Sequence, residues 1–543
     1  MPDESASSNG EQSASSRSRR RFVKTVGVAG AVGLAGCPGG GDDGTADGGG
    51  GGGDGDGNGD GTGDGGGGTP GGGGGDGGDG ATVEMAMPSN VTDRAEDTRE
   101  ALYDAGLSQD IEVTFLSTSE ISGDVQSQYR SWLNAGRETP DIFRMDSGWT
   151  IPFIVRDQLV NLSEHLSDDA LSMLDEHYFE APLESARAPA QAVGGGATDT
   201  DTATGGGGGP RGELYGVPWQ VGFPTIQYRK DLVEEAGFDP EGENWATEPM
   251  TWQRFSEVIS ETHSNSDVEY GFNWQGTDYV GLSCCTFNEF MTTWGGAYFG
   301  GRDNLFGPVG DRPITVEEEP VLQALRMIRT LIHGSDDEEA LEGYQQISPN
   351  AVLEWTEGPS LSPFTNGNAV ALRYWPSGIF EAATAFEEAD GLSPDALGTM
   401  PIPYAVSEDE SEYEGIGGTA SALGGWHLTV NPNSANVDAA VQVIEATMQE
   451  SFRSFQFSEL GYLTGDRRLF DPENVGDVEP WGPHLETLQI AGENAIPRPV
   501  TVVWPDQSSQ VASRVNGVIA QQQAPGEAMS ALAQSLEEIE QSV

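Results

Sequence analysis

A carboxylate and an indole stand close together just after an apolar segment of this sequence. Residues 141–145 predict a buried strand, and Asp146 and Trp149 follow it. Ligands of open α/β sheets lie at the carboxyl ends of the strands. A carboxylate accepts charge-assisted hydrogen bonds from hydroxyl groups, and an aromatic ring packs on apolar ring faces. The arrangement therefore indicates a ligand site at this strand end, although Asp146 could instead cap the helix that starts after it.

Familiar catalytic motifs are missing from the sequence. There is no Gly-x-Ser-x-Gly and no His-Glu-x-x-His motif, and the histidines have no metal-ligand spacing. We therefore expect no catalytic residue, no metal and no cofactor. One class of enzyme stays open, because a glycoside hydrolase needs only two suitably spaced carboxylates and this chain has many. The histidines are His165, His177, His263, His333, His427 and His484.

The N-terminal region has the layout of an export signal. Basic residues between 18 and 24 precede an apolar run from 25 to 35, which is too short and too rich in Gly and Ala to span a membrane. The paired arginines before Phe22 resemble a twin-arginine signal, and the Leu-Ala-Gly-Cys sequence that ends at Cys37 resembles a lipobox. We expect residues 1–36 to be removed as a signal peptide. Cys37 would then carry lipid and anchor the protein to the outer face of the cell membrane.

The charge balance is strongly acidic. Lys and Arg number 26 against 87 Asp and Glu, a net charge of −61, and Lys24 and Lys230 are the only lysines. Self-repulsion of this size is relieved in molar salt, where the Debye length is about 3 Å. The composition resembles that of halophilic proteins and argues against nucleic acid as a partner. An acidic tail for basic partners is the alternative, but the carboxylates are spread along the whole chain.

The cysteines do not form a disulfide framework. They are Cys37, Cys284 and Cys285, and a lipid on the first leaves two neighbours in sequence. A bridge between neighbours closes a small ring and joins no distant segments. We expect Cys284 and Cys285 to be buried thiols, with a redox pair as the alternative.

Two segments have a composition that cannot form a core. Residues 38–80 contain 27 Gly and nine Asp in 43 residues, so we expect the lipidated Cys37 and the residues up to 80 to form a disordered tether. Residues 190–210 are expected to form a flexible surface-loop insertion. The remainder, 81–543, is long enough for two or three domains.

Short apolar segments alternate with amphipathic ones over the rest of the chain, and this alternation predicts an α/β fold. The predicted strands are 82–87, 111–116, 141–145, 369–374 and 425–430. The predicted helices are 93–105, 124–135, 251–261, 320–333 and 437–450.

Four segments, in this order, resemble the sugar-binding family of ABC-importer solute-binding proteins that includes maltose- and trehalose-binding proteins. Many members of that family place an Asp shortly after the tryptophan of the second segment, where this chain has Val221, Gly222 and Phe223. The segments are Tyr-Arg-Ser-Trp-Leu-Asn-Ala-Gly (129–136) with Thr-Pro-Asp-Ile-Phe-Arg-Met-Asp-Ser-Gly-Trp (139–149), Gly-Glu-Leu-Tyr-Gly-Val-Pro-Trp (212–219) with Tyr-Arg-Lys-Asp-Leu (228–232), Tyr-Val-Gly-Leu (279–282) with Glu289 and Gly-Gly (295–296), and Phe-Thr-Asn-Gly-Asn-Ala-Val-Ala (364–371) with Trp375, Leu-Gly-Gly-Trp (423–426) and Pro-Arg-Pro (497–499).

The resemblance implies the two-lobed periplasmic-binding-protein fold of the maltose-binding-like type II class, in which the chain crosses several times between lobes. It implies a first lobe made of residues 81–222 and 372–450. The second lobe would comprise residues 223–371 and 451–543.

The same resemblance implies which side chains contact the ligand in the cleft between the lobes. Trp375 and Trp426 could instead be core residues, Trp219 could pack at the hinge, and Arg498 could be a surface charge. The implied ligand-binding residues are Asp146, Trp219, Tyr279, Trp375, Gly425, Trp426 and Arg498.

In function, the resemblance implies a monomeric, non-catalytic receptor. It would capture a sugar or oligosaccharide and deliver it to the membrane permease of an ABC importer, with ATP hydrolysed by a separate subunit. The same scaffold could instead carry an anion, a polyamine, a peptide or a metal. An anion would need basic groups such as Arg229, Arg373 and Arg498.

Overall fold

The structure is a computed structural model that describes residues 80–119, 122–188, 212–471 and 478–542. These residues belong to one compact unit. The expected signal peptide, Cys37, the tether as far as residue 79 and the insertion at 190–210 lie outside the described residues. Within the described ranges, no helix is both long enough and apolar enough to cross a membrane.

The described residues form eleven strands in two main sheets and one short ribbon. They are β1 (Ala81–Met87), β2 (Ile111–Ser117), β3 (Ile142–Asp146), β4 (Val217–Gly222), β5 (Thr225–Arg229), β6 (Tyr270–Asn273), β7 (Ala369–Tyr374), β8 (Leu397–Met400), β9 (Ser421–Ala422), β10 (Gly424–Val430) and β11 (Ala495–Ile496).

The first sheet has the strand order β2-β1-β3-β10-β4. Its β1 is parallel to β2 and β3, whereas β10 is antiparallel to both β3 and β4. The second sheet has the order β6-β7-β5-β8, in which β5 is antiparallel to both of its neighbours. The ribbon pairs β9 with β11.

Helices connect and cover these sheets. They are α1 (Ser89–Thr92), α2 (Ala95–Asp104), α3 (Ser122–Asn134), α4 (Thr150–Ile154), α5 (Asp168–His177), α6 (Glu180–Glu184), α7 (Lys230–Glu235), α8 (Trp252–Ser264), α9 (Phe287–Thr292), α10 (Glu319–His333), α11 (Glu357–Thr365), α12 (Ser377–Glu388), α13 (Val437–Thr447), α14 (Glu450–Glu459), α15 (Leu485–Glu493), α16 (Trp504–Ile519) and α17 (Pro525–Glu540).

Helix α10 illustrates how the sequence sets these elements. Pro320 lies in its first turn, where a missing N–H costs no intrahelical bond, and Gly334 follows its end with a φ of 74°. Val321, Leu325 and Ile328 recur at the helical spacing and are buried in the core. The helix predicted at 320–333 is thereby confirmed, as are the other predicted helices and strands to within a few residues at their ends.

Each main sheet has its own apolar core, which makes the fold two-lobed as expected. In the first lobe, α2, α5 and α13 pack on the first sheet through side chains such as Leu102, Leu174 and Val443. In the second lobe, α8, α10, α16 and α17 pack on the second sheet through side chains such as Phe255 and Val515. Sheets covered by helices are the layered arrangement that the α/β prediction implied.

The boundaries between lobes differ from those expected at residues 371 and 450. Strand β7 continues to Tyr374, and β8 (Leu397–Met400) pairs with the free edge of β5, so the chain stays with the second sheet well beyond residue 371. Helix α14 stays on the first lobe, where Phe452 is buried and Glu459 forms a 2.8 Å ion pair with Arg94 of the first lobe. The crossing after β4, by contrast, falls at residues 223–224, next to the expected boundary.

Candidate functional site

Three side chains form a row across the end of the first sheet at which β3 and β4 finish. In the sheet register, Trp426 lies opposite Asp146 on one side and opposite Gln220 on the other. Directly opposite residues of antiparallel strands project to the same face of a sheet. Asp146, Trp426 and Gln220 are called the cross-strand row below. Its members are a carboxylate, an indole and an amide.

Asp146 is held by the turn that follows it. Its Oδ2 accepts a hydrogen bond from Ser122 Oγ at 2.9 Å, and its Oδ1 accepts one from the Gly148 N–H at 2.7 Å. Ser122 Oγ in turn accepts a hydrogen bond from Trp149 Nε1 at 2.9 Å. Asp146 does not cap α4, whose N-cap is Trp149 and has no side-chain cap hydrogen bond; its carboxylate instead fixes the turn that leads into that helix.

Arg498 approaches Asp146 from the segment after β11. Its Nη2 lies 3.7 Å from Asp146 Oδ1, and both side chains are 14% exposed. The second lobe holds this segment, since Asn288 donates to the Pro497 carbonyl at 3.3 Å and Val500 N–H donates to the Leu305 carbonyl at 3.0 Å. The Asp146–Arg498 pair therefore connects the two lobes, and Arg498 is not an isolated surface charge.

The indole of Trp426 is partly buried and has one face covered. The guanidinium carbon of Arg144 lies 3.8 Å from the ring centroid, which is a cation–π distance. Trp149 meets the same indole at an interplanar angle of 89° with centroids 6.2 Å apart. A ligand ring that stacks on Trp426 must therefore use the face opposite Arg144.

Trp375 projects from the end of β7 toward the first lobe. A Cβ added at Gly424 would lie 2.6 Å from the Trp375 indole, and a Cβ added at Gly222 would lie 3.4 Å from it. The ring therefore rests on the ends of β10 and β4. Trp375 is partly buried and lies at the boundary between the lobes.

The two adjacent cysteines lie beside Trp375. Cys284 and Cys285 are each 4% exposed and pack with Ala422 and the indole of Trp375. Their sulfur atoms are bonded to each other within the π-helical turn Leu282–Thr286. The expected burial is confirmed, whereas the expectation of two free thiols is wrong, because this turn brings the sulfurs of neighbouring residues together.

Gly425 has a backbone role. Its φ is 130°, a conformation that favours glycine, and an added Cβ would lie 2.3 Å from the Gln220 carbonyl oxygen. Its own carbonyl accepts a hydrogen bond from the Ser147 N–H at 3.0 Å. These contacts account for a glycine here, and contact with a ligand stays a prediction.

Two further predicted residues lie elsewhere. Trp219 is 3% exposed and packs on Phe452 in the core of the first lobe, so its expected contact with ligand is wrong. Tyr279 lies in the second lobe, where its hydroxyl donates to Glu357 at 2.8 Å and burial raises its pKa. Its contact with a ligand stays a prediction.

Gln220 is a candidate that the sequence analysis missed. The pairing of β4 with β10 shifts register between Trp426 and His427, so Trp219 is an extra residue of β4 and the simple alternation of faces does not hold across it. The strand register places Gln220 opposite Trp426, and no pattern in the sequence indicates this.

The arginines considered for an anionic ligand already have acidic partners. Arg373 donates two bonds of 2.6 Å to Glu289, and both side chains are at most 1% exposed. Arg229 donates to both carboxylate oxygens of Asp231 at 2.7 and 2.5 Å. With Arg498 beside Asp146, the chemistry of the site favours a neutral ligand.

His427 supports the row from within the first lobe. Its Nδ1 is 2.9 Å from Thr150 Oγ1, and its Nε2 is 3.0 Å from the Pro182 carbonyl. Burial lowers its pKa to about 4. The ring is therefore neutral at ordinary pH, with Nε2–H donating to Pro182 and Nδ1 accepting from Thr150.

Other contacts also join the lobes near the row. Trp149 of the first lobe shares one apolar cluster with Leu305 and Phe306 of the second. Arg302 of the second lobe donates to Glu184 of the first at 3.3 Å, while burial raises the pKa of Glu184. The described arrangement thus has the lobes in contact around the site.

Possible metal sites and cavities were compared with the cross-strand row over the described residues. The described ranges contain no group of three His, Cys, Asp or Glu side chains placed to hold a metal ion. A surface cavity of about 380 Å³ has walls that include Glu176, Arg468 and Glu486, and it contains no member of the cross-strand row.

Two α/β lobes joined by several crossings, with a polar and aromatic row where they meet, define a two-lobed binding protein. The comparisons with known proteins agree with this class. The sequence family described as bacterial extracellular solute-binding protein matches residues 107–465, and the chain belongs to that family.

One relative in sequence is a probable ABC transporter-binding protein of Deinococcus radiodurans. It is 25% identical over 414 residues, which cover 74% of this chain and 81% of the relative. A shorter match, 38% identical over 58 residues, is to a lactose-binding protein of Rhizobium radiobacter and covers 11% of this chain and 13% of that protein.

Solved structures confirm the maltose-binding-like fold. Maltose-bound MalE3 of T. maritima has a TM-score of 0.62 at 20% identity and is matched over 84% of this chain and 99% of its own. The cyclic alpha-maltosyl-1,6-maltose binding protein of Arthrobacter globiformis has a TM-score of 0.61 at 18% identity, over 85% and 99% of the two chains.

Proposed function

We propose that this protein is a non-catalytic receptor that binds a sugar or oligosaccharide between its lobes and delivers it to the permease of an ABC importer. ATP would be hydrolysed by a separate subunit of that importer. The observation that carries the proposal is the cross-strand row, in which the indole of Trp426 lies between the carboxylate of Asp146 and the amide of Gln220.

The chemistry of the row suits a neutral hydroxylated ring. An indole offers an apolar face for the C–H side of a sugar, and planar polar groups at its edges exchange hydrogen bonds with ring hydroxyls. Trp375, carried by the second lobe, supplies another aromatic surface over Gly424 and Gly222. Two of the similar solved structures are a maltose-bound protein and a binding protein for cyclic alpha-maltosyl-1,6-maltose.

Binding would be coupled to closure of the lobes. The Asp146–Arg498 and Glu184–Arg302 pairs join the lobes, so opening must break both. A ligand that contacts Trp426 in one lobe and Trp375 in the other stabilises only the closed form, which is the differential affinity that drives closure.

The residues before 80 supply the rest of the proposal. A twin-arginine signal would export the protein, and lipid on Cys37 would hold it at the outer face of the membrane through a glycine-rich tether. The strongly acidic surface would keep a monomer soluble in molar salt.

A thermal-shift screen in molar KCl tests the proposal. The probes are maltose, trehalose, maltotriose and maltotetraose, with phosphate and spermidine as charged comparisons. A ligand that binds only the folded state at a hundred times its Kd stabilises it by about 2.7 kcal/mol. A higher melting temperature with a sugar, and no change with the charged probes, is expected.

The outcomes that contradict the proposal are specific. A shift with phosphate or spermidine alone would move the function to charged cargo. Chromatography of each sugar after incubation checks for catalysis, and the appearance of hydrolysis products would overturn the receptor in favour of a glycoside hydrolase.

A further inference from the structure

The side-chain carbonyl oxygen of Gln220, at the end of the first sheet, has no hydrogen-bond partner among the residues that the structure describes. The side chain is partly buried, and its Oε1 is fully buried with no hydrogen bond to any described residue. A buried carbonyl oxygen left without a donor destabilises the folded state. An unpaired acceptor calls for an explanation, and at a ligand site a hydroxyl of the ligand can supply the missing donor.

The position of Gln220 relative to the indole suits the edge of a bound ring. Trp426 lies opposite Gln220 on one side and opposite Asp146 on the other, so the two polar residues flank it. Two strand spacings separate their backbones, about 10 Å. A ring stacked on the indole would present one edge to the carboxylate and the other to the amide.

The neighbouring residues explain why an amide is needed at this place. Gly222, two residues further along the same face of β4, has no side chain and is covered by the Trp375 indole. Gly425 makes close backbone contact with the Gln220 carbonyl, which fixes the strand at this residue. Gln220 is therefore the polar side chain that β4 presents beside Trp426.

We propose that Gln220 is a specificity-determining residue, which hydrogen-bonds a hydroxyl of the bound sugar on the edge opposite Asp146. The inference rests on the proposed function. An amide both accepts and donates, so it recognises a neutral hydroxyl without adding charge to the site. A sugar that lacks this hydroxyl would leave the amide unpaired and would be rejected.

The test is calorimetry in molar KCl with the sugar that gives the largest thermal shift among maltose, trehalose, maltotriose and maltotetraose. Its monodeoxy analogues are titrated alongside it. The variant is Gln220→Leu, which removes the amide at similar size. The matched control is Gln510→Leu, at an exposed glutamine of α16.

We expect Gln220→Leu to bind the sugar about tenfold more weakly than the wild type, the effect of removing one hydrogen-bond partner. Gln510→Leu should bind as the wild type does. The wild type should bind one monodeoxy analogue about tenfold more weakly than the parent sugar. Gln220→Leu should bind that same analogue no more than about twofold more weakly than the parent sugar, because the hydroxyl has already lost its partner in this variant.

Each other outcome overturns the inference. Unchanged affinity of Gln220→Leu removes the residue from the site while the proposed function stands. If Gln220→Leu binds the sugar more weakly, but every monodeoxy analogue still loses as much affinity as it does with the wild type, then the substitution disturbs the site without removing a contact to a hydroxyl. Wild type that binds no sugar overturns the proposed function and this inference with it. If Gln220→Leu melts early, Gln220→Asn withdraws the amide by one methylene and should give the same pattern.

Discussion

Two glycines beneath Trp375 form a matched pair for testing the position of its indole. A Cβ added at Gly424 would lie 2.6 Å from the indole, whereas a Cβ added at Gly222 would lie 3.4 Å from it. Carbon atoms make their best contact at about 3.5–4.0 Å. Gly424→Ala therefore has to displace the ring by about 1 Å, whereas Gly222→Ala needs almost no movement. Neither glycine has a positive φ, so alanine fits the backbone at both.

The displacement should appear as lost sugar affinity. Stacking of one ring on an aromatic side chain contributes about 1–3 kcal/mol. Gly424→Ala should lose up to that amount, a rise in Kd of roughly 5- to 150-fold, and Gly222→Ala should stay within about twofold of wild type. Calorimetry in molar KCl measures both, and melting curves confirm that the variants are folded. Equal affinities of the two folded variants would refute the reasoning, because clearance beneath Trp375 would not matter.

Two predictions concern stability. Gly425→Ala should lower the free energy of unfolding by roughly 1–3 kcal/mol, because the φ of 130° at this residue disfavours alanine. Gly526→Ala is the control and should not lower it, because nothing lies within 4 Å of an added Cβ there. Chemical denaturation in molar salt measures both variants, and equal losses would contradict the prediction for Gly425. Burial lowers the pKa of His427 and His484 from 6.5 in the unfolded chain to about 4 in the folded protein. Between pH 6.5 and pH 4 the unfolded chain therefore binds more protons than the folded protein does. The free energy of unfolding should fall over this pH range by up to about 3 kcal/mol for each histidine. A pH slope that is the same in a His427→Gln variant would contradict the second.

The local elements could be predicted because their patterns are strong. Strand β2 alternates apolar and polar residues, and α10 repeats apolar residues at the helical spacing between a proline and a glycine. The lobe to which each strand belongs was harder to predict than the strands themselves. Strand β8 is four residues long, and nothing local in Leu397–Met400 shows that it pairs with the far edge of β5.

The candidate site residues that the structure brings together lie where a motif coincides with the end of a strand. Asp146 and Trp426 come from β3 and β10, which are hydrogen-bonded neighbours although 280 residues apart in sequence, and resemblance to a family identified both. Trp219 was assigned to the site because it belongs to a recognisable motif, but the strand turns that indole to the core. Gln220 was missed because a glutamine beside a tryptophan has no signature of its own, and only the register reveals its neighbours.

The sequence also could not show that two of the predicted site residues, Asp146 and Arg498, lie close to each other. Arg498 belongs to a segment after β11 that the second lobe holds, and its proximity to Asp146 depends on how the lobes meet. Long-range ion pairs of this kind leave no periodic pattern in the chain.

The central claim is that two indoles, one from each lobe, hold a neutral sugar. Calorimetric titration of Trp375→Ala and Trp426→Ala with the sugar selected by the thermal-shift screen tests it most directly. Each variant should bind more weakly than wild type by about 1–3 kcal/mol while remaining folded in molar KCl. Wild-type affinity in both folded variants would contradict the account.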